Sequence, residues 1–282
     1  MKVIDTHQHL WDLDLFSYSW CRGIPKLNRS FRLNDYLDAA RQVDVVKSVH
    51  VEADVDEPFM LAETKHILSL AERENPLSGV VACARPERKD FRNYLDQIAA
   101  YPKLKGIRRV LHTQSEGQAE LMKDPIFIEN IKALEQYKLS FDLCVLARQL
   151  PQAINLIKQC PKVSFILDHC GNPLVKEKIA HPWQEHIEEM ASLPNVVCKV
   201  SGLVTQANTE NWTPEDLRPF VSHVIECFGW DRVMFGSDWP VCTLAASFDQ
   251  WVSALMFLTR DADESNQQKL FAENAERVYR LI

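Results

Sequence analysis

The chain has 282 residues, of which 46% are hydrophobic and 25% charged, a composition that predicts a globular protein of one large or two small domains. A net charge of -7 without any Lys/Arg-rich run disfavours binding to nucleic acid or to an anionic membrane surface. No apolar run has the length of a membrane span or resembles the apolar core of a signal peptide, so we expect a cytosolic protein.

The signal of a β-strand repeats eight times along the chain. Short runs rich in β-branched residues alternate with longer amphipathic stretches, and no linker or internal repeat interrupts the alternation. The runs are apolar along most of their length, as expected for parallel strands that are buried on both faces. We predict strands over 3–9, 47–53, 78–84, 104–110, 139–145, 163–169, 195–201 and 232–238.

Helices are predicted between these strands. Residues 57–75 carry apolar side chains at helical spacing. Thr213-Pro214-Glu215-Asp216 combines an N-cap, a proline at the first position and early acidic residues, and this helix should end near Gly229. Further helices are predicted from Asp124-Pro125, from His181-Pro182, and from about Glu264 to Ile282.

Eight strand–helix units in a chain of this length predict a (β/α)8 TIM barrel, formed by one domain over residues 1–282. The alternative is an open, doubly wound sheet. It is disfavoured because no G-x-G-x-x-G follows the first strand.

The first strand contains two histidines in the stretch DTHQHLWD. Residues two apart in a strand share a face, so Asp5, His7 and His9 are expected to project together. Three polar groups on one face of a buried strand require water, a metal ion or a substrate to satisfy them.

The other strands also end in ionisable residues. The C-terminal ends of parallel barrel strands meet at one rim, where active sites of such barrels lie, so we expect these groups to converge. After the histidines of strand 1, the rim residues in strand order are Glu52, Asp54, Arg85, Arg108, Arg109, His112, Asp142, Asp168, His169, Lys199, Ser201, Ser237 and Asp238.

Several of these residues also have a purely structural interpretation. His112 could be a hydrogen-bonded structural residue, and Asp142 could orient a neighbour. Lys199 lies on an apolar strand, where it needs a salt bridge to Glu52 or Asp238 unless it is catalytic. Arg85 and Arg108 could form rim ion pairs or anchor substrate.

The chain has 8 cysteines, and none forms C-x-x-C. Four of them, Cys83, Cys144, Cys170 and Cys198, lie in apolar runs. We interpret the cysteines as reduced core residues.

Six motifs in order along the chain resemble the amidohydrolase superfamily, in its "amidohydrolase-2" branch of sugar-lactone and pyrone-dicarboxylate lactonases. The H-x-H pair alone is a weak signal, whereas its combination with L-D-H-x-G-x-P and G-S-D-W-P in this order is specific. The motifs are DTHQHLWD, YSW, KGIRR, LDHCGNP, CKVSG and FGSDWP.

The resemblance implies catalytic roles for His7, His9, His169 and Asp238, with Asp238 as the general base toward the hydrolytic water. The resemblance also implies how many metal ions the protein binds. Strand 4 carries Arg108 and Arg109 and no lysine that could bridge two ions, and strand 5 offers Asp142 in place of a histidine. We therefore expect either no metal requirement or a single divalent ion such as zinc on His7, His9 and Asp238.

The function predicted on this basis is a lactonase that acts on a small sugar-acid lactone of the fucono-, rhamnono- or galactono- type. Aromatic and hydroxyl side chains in the loops of Tyr18, Trp20 and Trp212 would suit a neutral sugar. The alternatives are a 2-pyrone-4,6-dicarboxylate lactonase, a metal-dependent decarboxylase and a non-catalytic binding protein. The residues expected to bind the substrate are Arg85, Arg108, Glu52, Tyr18, Trp20 and Lys199.

Overall fold

The predicted barrel is confirmed, with all eight strands parallel and hydrogen-bonded in chain order in a computed structural model that describes residues 1–112 and 116–281. The side chains of residues 116–118 are not described. The strands are β1 (Val3–Gln8), β2 (Val45–Val51), β3 (Leu77–Cys83), β4 (Leu104–Val110), β5 (Ser140–Cys144), β6 (Phe165–Leu167), β7 (Val196–Val200) and β8 (Val233–Phe235).

The helices surround the sheet. They are α1 (Leu33–Ala40), α2 (Met60–Ala71), α3 (Phe91–Asp96), α4 (Glu116–Leu121), α5 (Pro125–Tyr137), α6 (Leu150–Gln159), α7 (Trp183–Ala191), α8 (Leu203–Gln206), α9 (Pro214–Phe228), α10 (Phe248–Leu258), α11 (Glu264–Gln268) and α12 (Asn274–Tyr279). Within the described residues, no helix has the length and apolar character needed to cross a membrane.

The helix boundaries follow the local signals in the sequence. Asp124 caps α5 by accepting hydrogen bonds from the backbone N–H groups of Ile126 and Phe127. Thr213 and Asp216 form the capping box of α9, which ends at Gly229 as expected. The predicted terminal helix is divided, because a π-helical segment, Lys269–Glu273, lies between α11 and α12.

Two strands, β6 and β8, are shorter than predicted by four residues each. β6 ends at Leu167 because the chain then turns through left-handed backbone at His169, with φ of 54°. β8 ends at Phe235, three residues before Asp238, which is also left-handed with φ of 58°. Both predicted runs therefore continued past the true end of the strand into the residues that form the rim.

The apolar core has two layers. The larger cluster lies between the sheet and the surrounding helices, whereas the smaller one fills the inside of the barrel. The inner cluster takes side chains from five strands and is joined by Ala275, Tyr279 and Leu281 from the C-terminal segment. All eight cysteines are free, and seven of them are buried.

The barrel closes where β1 meets β8. Asp238 N donates to His7 O at 2.7 Å, and His9 N donates to Trp239 O at 2.7 Å. Below them, the Thr6 hydroxyl donates to Phe235 O at 2.6 Å. These bonds bring the end of β1 directly against the residues that follow β8.

Gly236 is required for this close approach. A Cβ atom at this position would lie 2.7 Å from His7 Cβ and 3.1 Å from Ser201 Cβ. We expect Gly236→Ala to reduce the free energy of unfolding by about 1–3 kcal/mol, since overpacking forces the neighbouring backbone apart. Urea unfolding measures the change. Gly23→Ala is the matched control, since nothing lies within 4 Å of its added methyl, and equal stability of the two variants would contradict the prediction.

Candidate active site

A pocket of about 260 Å³ opens at the C-terminal end of the strands, where the barrel predicts an active site. Its volume is below the roughly 300–1,000 Å³ of sites for drug-sized ligands, which suits a single small molecule. Its lining consists of His9, Trp20, Ala53, Asp54, Arg108, Val110, His112, Cys144, His169, Asn172, Gly202, Thr205, Gln206, Asp238 and Val241.

Asp238 is the centre of the site, because one of its oxygens faces three imidazole rings. Asp238 Oδ1 lies 3.3 Å from His9 Nε2, 3.8 Å from His7 Nε2 and 3.9 Å from His169 Nε2. The structure therefore brings together the four residues that the sequence predicted to be catalytic. Burial alone would raise the pKa of Asp238, but His169, His9 and Arg108 together lower it, so the carboxylate is ionised at neutral pH.

His169 is held in place by its backbone and by a glycine. Its φ of 54° turns the side chain toward Asp238, and its Nδ1 lies 2.8 Å from Ser201 Oγ. A Cβ atom at Gly202 would lie 2.6 Å from the same Nδ1, so only glycine leaves room for the ring in this position. Burial lowers the pKa of His169, which favours the neutral ring.

The space between the His9 ring and Asp238 suits a cation or a proton. His9 Nδ1 lies 2.7 Å from Val51 O, which can only accept, so Nδ1 carries the hydrogen. In the neutral ring, Nε2 then presents a lone pair to Asp238 Oδ1 at 3.3 Å. Two acceptors at this distance repel each other unless a positive charge lies between them. His7, His9 and Asp238 each offer one metal-ligand atom, and these three atoms lie within 4.8 Å of one another, a set that fits one divalent ion.

His7 lies between two cations. Its Nε2 is 3.3 Å from Arg108 Nη1, and its Nδ1 is 3.3 Å from Lys199 Nζ. Burial and Lys199 hold the pKa of His7 well below its ordinary value, although Asp168 opposes them, so the ring is neutral at pH 7. His7, Asp168 and His169 form a second possible group of metal ligands. An ion there would lie beside the Lys199 ammonium, so the geometry favours one ion over two.

A network of buried ion pairs supports His7 from below. Lys199 Nζ lies 2.6 Å from Asp142 Oδ2 and 3.1 Å from Asp168 Oδ1, and all three side chains are 0% exposed. Arg108 Nε donates to Glu52 Oε1 at 2.7 Å, and Arg108 Nη1 lies 3.4 Å from Asp168 Oδ2. Each buried cation thus meets two carboxylates, which is what makes its burial tolerable.

The carboxylates of this network differ in their pKa. Burial would raise the pKa of Asp168, but Lys199, His7 and Arg108 hold it well below its ordinary value. For Glu52, Arg108 and Arg85 likewise outweigh burial and lower the pKa. Burial raises the pKa of Asp142 to about 6, although Lys199 opposes the rise. Asp168 and Glu52 are therefore the permanent negative charges of the network.

The structure corrects the prediction for the partner of Lys199. Lys199 pairs with Asp142 and Asp168, neither of which was the predicted Glu52 or Asp238. The reason is depth, since Lys199 lies below His7 and its side chain is 0% exposed. In this structure it does not line the pocket, so a direct contact with substrate, as the sequence suggested, is not supported.

The prediction that Asp5 shares a face with His7 and His9 was wrong. The register of β1 against β2 shifts between Asp5 and Gln8, which breaks the alternation of the strand. The Asp5 carboxylate instead accepts a hydrogen bond from Tyr36 on α1 at 3.0 Å.

Of the other residues predicted to bind the substrate, some line the pocket and some do not. Trp20 and Arg108 line the pocket, and Glu52 lies behind Arg108, 1% exposed. Arg85 lies outside the lining and is 3.7 Å from Asp54 Oδ1. Tyr18 is buried in the core, 3.5 Å from Glu63. Trp212, whose loop was predicted to suit a sugar, donates to Ala245 O in a different cavity.

Sequence reasoning missed the polar wall formed by Asn172 and Gln206. Asn172 adopts a left-handed φ of 50°, and its Oδ1 accepts from Gln206 Nε2 at 3.2 Å. Asparagine in a G-N-P sequence is a recognisable signal for this backbone region. Gln206, in the short helix α8, has no comparable signal.

Known proteins are similar to this chain along almost its whole length. A family model described as amidohydrolase matches residues 4–281. An L-fucono-1,5-lactonase of Burkholderia multivorans is 31% identical over 294 residues, covering 99% of this chain and 96% of the relative. The L-fucono-1,5-lactonase of Burkholderia ambifaria is 28% identical over 285 residues, covering 99% and 95%. A crystal structure of an amidohydrolase from Burkholderia multivorans with bound zinc has a TM-score of 0.90 at 27% identity and covers both chains completely.

The buried network allows a test of stability. We expect Lys199→Met to reduce the free energy of unfolding by about 3–5 kcal/mol, because it leaves Asp142 and Asp168 buried without their shared cation. The double variant Lys199→Met/Asp142→Asn should recover part of the loss, since it removes one of the two unmatched charges. Urea unfolding of both variants measures the difference. A double variant no more stable than the single one would contradict this electrostatic explanation.

Proposed function

The chain belongs to the amidohydrolase family, and on that premise we propose that it hydrolyses the lactone of a small sugar acid to the open hydroxy acid. The observation that carries the proposal is Asp238, an ionised carboxylate that faces three imidazoles at the floor of a pocket large enough for one small molecule. Two lactonases that are similar along the whole chain support the choice of a lactone over another ester.

In the proposed reaction, Asp238 accepts a proton from a water molecule while the oxygen of that water attacks the lactone carbonyl. His169 can donate from Nε2 toward the developing oxyanion when Ser201 Oγ donates to its Nδ1. The tetrahedral intermediate then collapses, the ester C–O bond breaks, and Asp238 returns the proton to the ring oxygen that leaves. One water molecule is consumed, and one hydroxyl and one carboxylic acid are produced.

Arg108 provides a fixed positive charge for this reaction. Its guanidinium lines the pocket, and Glu52 holds it through Nε at 2.7 Å. Nη1, beside His7 Nε2, is the nitrogen nearest to the reacting groups and would favour negative charge on the carbonyl oxygen. A single divalent ion on His7, His9 and Asp238 would add Lewis-acid polarisation when bound.

The charges of the pocket favour a neutral sugar lactone over a pyrone dicarboxylate. Among the described lining residues, Arg108 is the one arginine or lysine, and Glu52 already pairs with it. Asp54 adds a carboxylate to the same wall. Residues 113–118, which follow His112, contain no lysine or arginine in the sequence. A substrate with two carboxylates would therefore meet too little positive charge.

A metal-dependent decarboxylase is less compatible with the residue at β5. Such an enzyme needs a complete set of metal ligands. Here Asp142 occupies the β5 position, and it is bound by Lys199 at 2.6 Å and by the Tyr279 hydroxyl at 3.0 Å. Both of these bonds end on Oδ2, and Ser140 Oγ donates to Oδ1 at 3.4 Å, so both oxygens are engaged away from the pocket.

A substrate screen tests the proposed reaction. Acid release from purified protein would be followed with a pH indicator, against aldonolactones and the pyrone dicarboxylate, each with and without chelator. We expect a six-carbon or 6-deoxy aldonolactone to give the higher kcat/KM. A preference of about tenfold or more for the dicarboxylate would reverse the assignment of substrate.

The role of Asp238 has its own test. Asp238→Asn keeps the shape of the side chain and removes its basicity, so we expect kcat to fall by about 10²- to 10⁴-fold with little change in Tm. Asp54→Asn is the matched control for kcat, because Asp54 lines the same pocket but pairs with Arg85 and with none of the described imidazoles, so any effect of this variant should appear in KM. Turnover of Asp238→Asn within about threefold of the wild type would remove the general base from the mechanism.

A further inference from the structure

The Asp5 carboxylate is fully engaged at the seam between β1 and β8. Its Oδ1 accepts from Ser237 N at 2.8 Å and from His7 N at 3.1 Å. Its Oδ2 accepts from Ser237 Oγ at 2.6 Å and from Tyr36 OH at 3.0 Å. Asp5 is 0% exposed, and all four of these donors are neutral. A buried carboxylate held only by neutral donors is costly, so its presence at this seam calls for an explanation.

Three of the four hydrogen bonds are donated by the two segments that carry the reacting groups. His7 lies at the end of β1, and Ser237 immediately precedes Asp238. The backbones of these segments also bond directly, since Asp238 N donates to His7 O at 2.7 Å. Asp5 thus joins the same two segments a second time, through a side chain, on the side away from the pocket.

Asp238 needs this support because of its conformation. Its φ of 58° lies in the left-handed region, which is unfavourable for a residue with a side chain and persists only when the surroundings fix it. Ser237 supplies that constraint on one side through its two bonds to Asp5. Ser237 Oγ also accepts from Trp239 N at 3.0 Å, which constrains the other side.

We propose that Asp5 is a positioning residue for the reaction, and that its carboxylate sets the placement of Asp238 relative to His7 and His9. This rests on the proposed function in so far as Asp238 is the general base. Tyr36 supplies the fourth hydrogen bond from α1, and this bond contributes to stability without touching either reacting segment.

Four variants separate positioning from stability. Asp5→Ala removes all four bonds and should lower kcat about 10- to 100-fold with KM within about threefold, because a misplacement of about 1 Å is enough for such a loss. Asp5→Asn keeps an oxygen for the two backbone N–H groups and should restore most of kcat. Ser237→Ala removes the hydroxyl and should lower kcat to a smaller extent. Tyr36→Phe should lower Tm and leave kcat within about twofold.

The outcomes are decisive even where one variant fails to fold. If Asp5→Ala is unfolded, the comparison of Ser237→Ala with Tyr36→Phe carries the test, because each removes one hydroxyl donor from the same oxygen. Ser237→Ala also removes the acceptor of Trp239 N, so its effect is measured again in an Asp5→Asn background. A lower kcat in Ser237→Ala than in Tyr36→Phe supports positioning by Asp5 when the loss is smaller in that background, and an equal loss in both backgrounds overturns it. The positioning role is overturned if these two variants have equal kcat, or if KM rises and kcat does not fall.

A structural measurement keeps the proposal separate from the choice of reaction. In a crystal structure of Asp5→Ala or Ser237→Ala, the distance from His9 Nε2 to Asp238 Oδ1, 3.3 Å in the wild type, should lengthen. If the wild type hydrolyses no lactone but this displacement is observed, the proposed function fails and the positioning role stands. An unchanged distance overturns the positioning role whatever the substrate is.

Discussion

The burial of two cations inside the barrel is the constraint on which the rest of the site depends. Lys199 and Arg108 are removed from water, and each is stabilised by carboxylates delivered from other strands. This arrangement requires β2, β4, β5, β6 and β7 to be in register with one another. It also fixes the charge of His7, because burial and the Lys199 ammonium lower the pKa of this ring against the opposing effect of Asp168 and keep it neutral at pH 7. Asp238 is left as the ionised carboxylate that faces the three imidazoles.

The electrostatics of the pocket connect this network to the substrate that we propose. Arg108 is the one arginine or lysine among the described residues that line the pocket, and Glu52 and Asp168 already balance its charge. The pocket therefore has polar groups for hydroxyls, among them Asp54, Asn172 and Gln206, but little net positive charge. A polyhydroxylated neutral ring satisfies such a lining better than a dianion does.

The sequence predicted the fold well because the barrel strands carry a local signal. Runs of β-branched residues located all eight strands, and Asp124 and Thr213 located helix starts, since each depends on neighbours in the chain. The convergence of His7, His9, His169 and Asp238 followed from the rule that strand ends share a rim. The pairing of Lys199 with Asp142 did not follow, because it depends on depth within the barrel, which the sequence pattern does not encode. Asp5 was misplaced for a related reason, since a register shift in β1 has no signature in residue type.

The contact between Tyr279 and Asp142 has a consequence for the order of folding. Tyr279 follows all eight strands in the chain, yet its hydroxyl donates to Asp142 at 3.0 Å, and its ring lies with Ala275 and Leu281 in the inner cluster. During synthesis the strands emerge before the segment that covers the lower end of the barrel. We therefore expect Lys199 and its carboxylates to assemble while water can still reach them from below. Their dehydration is then the last step of folding, completed when the C-terminal segment docks and not when the strands first meet.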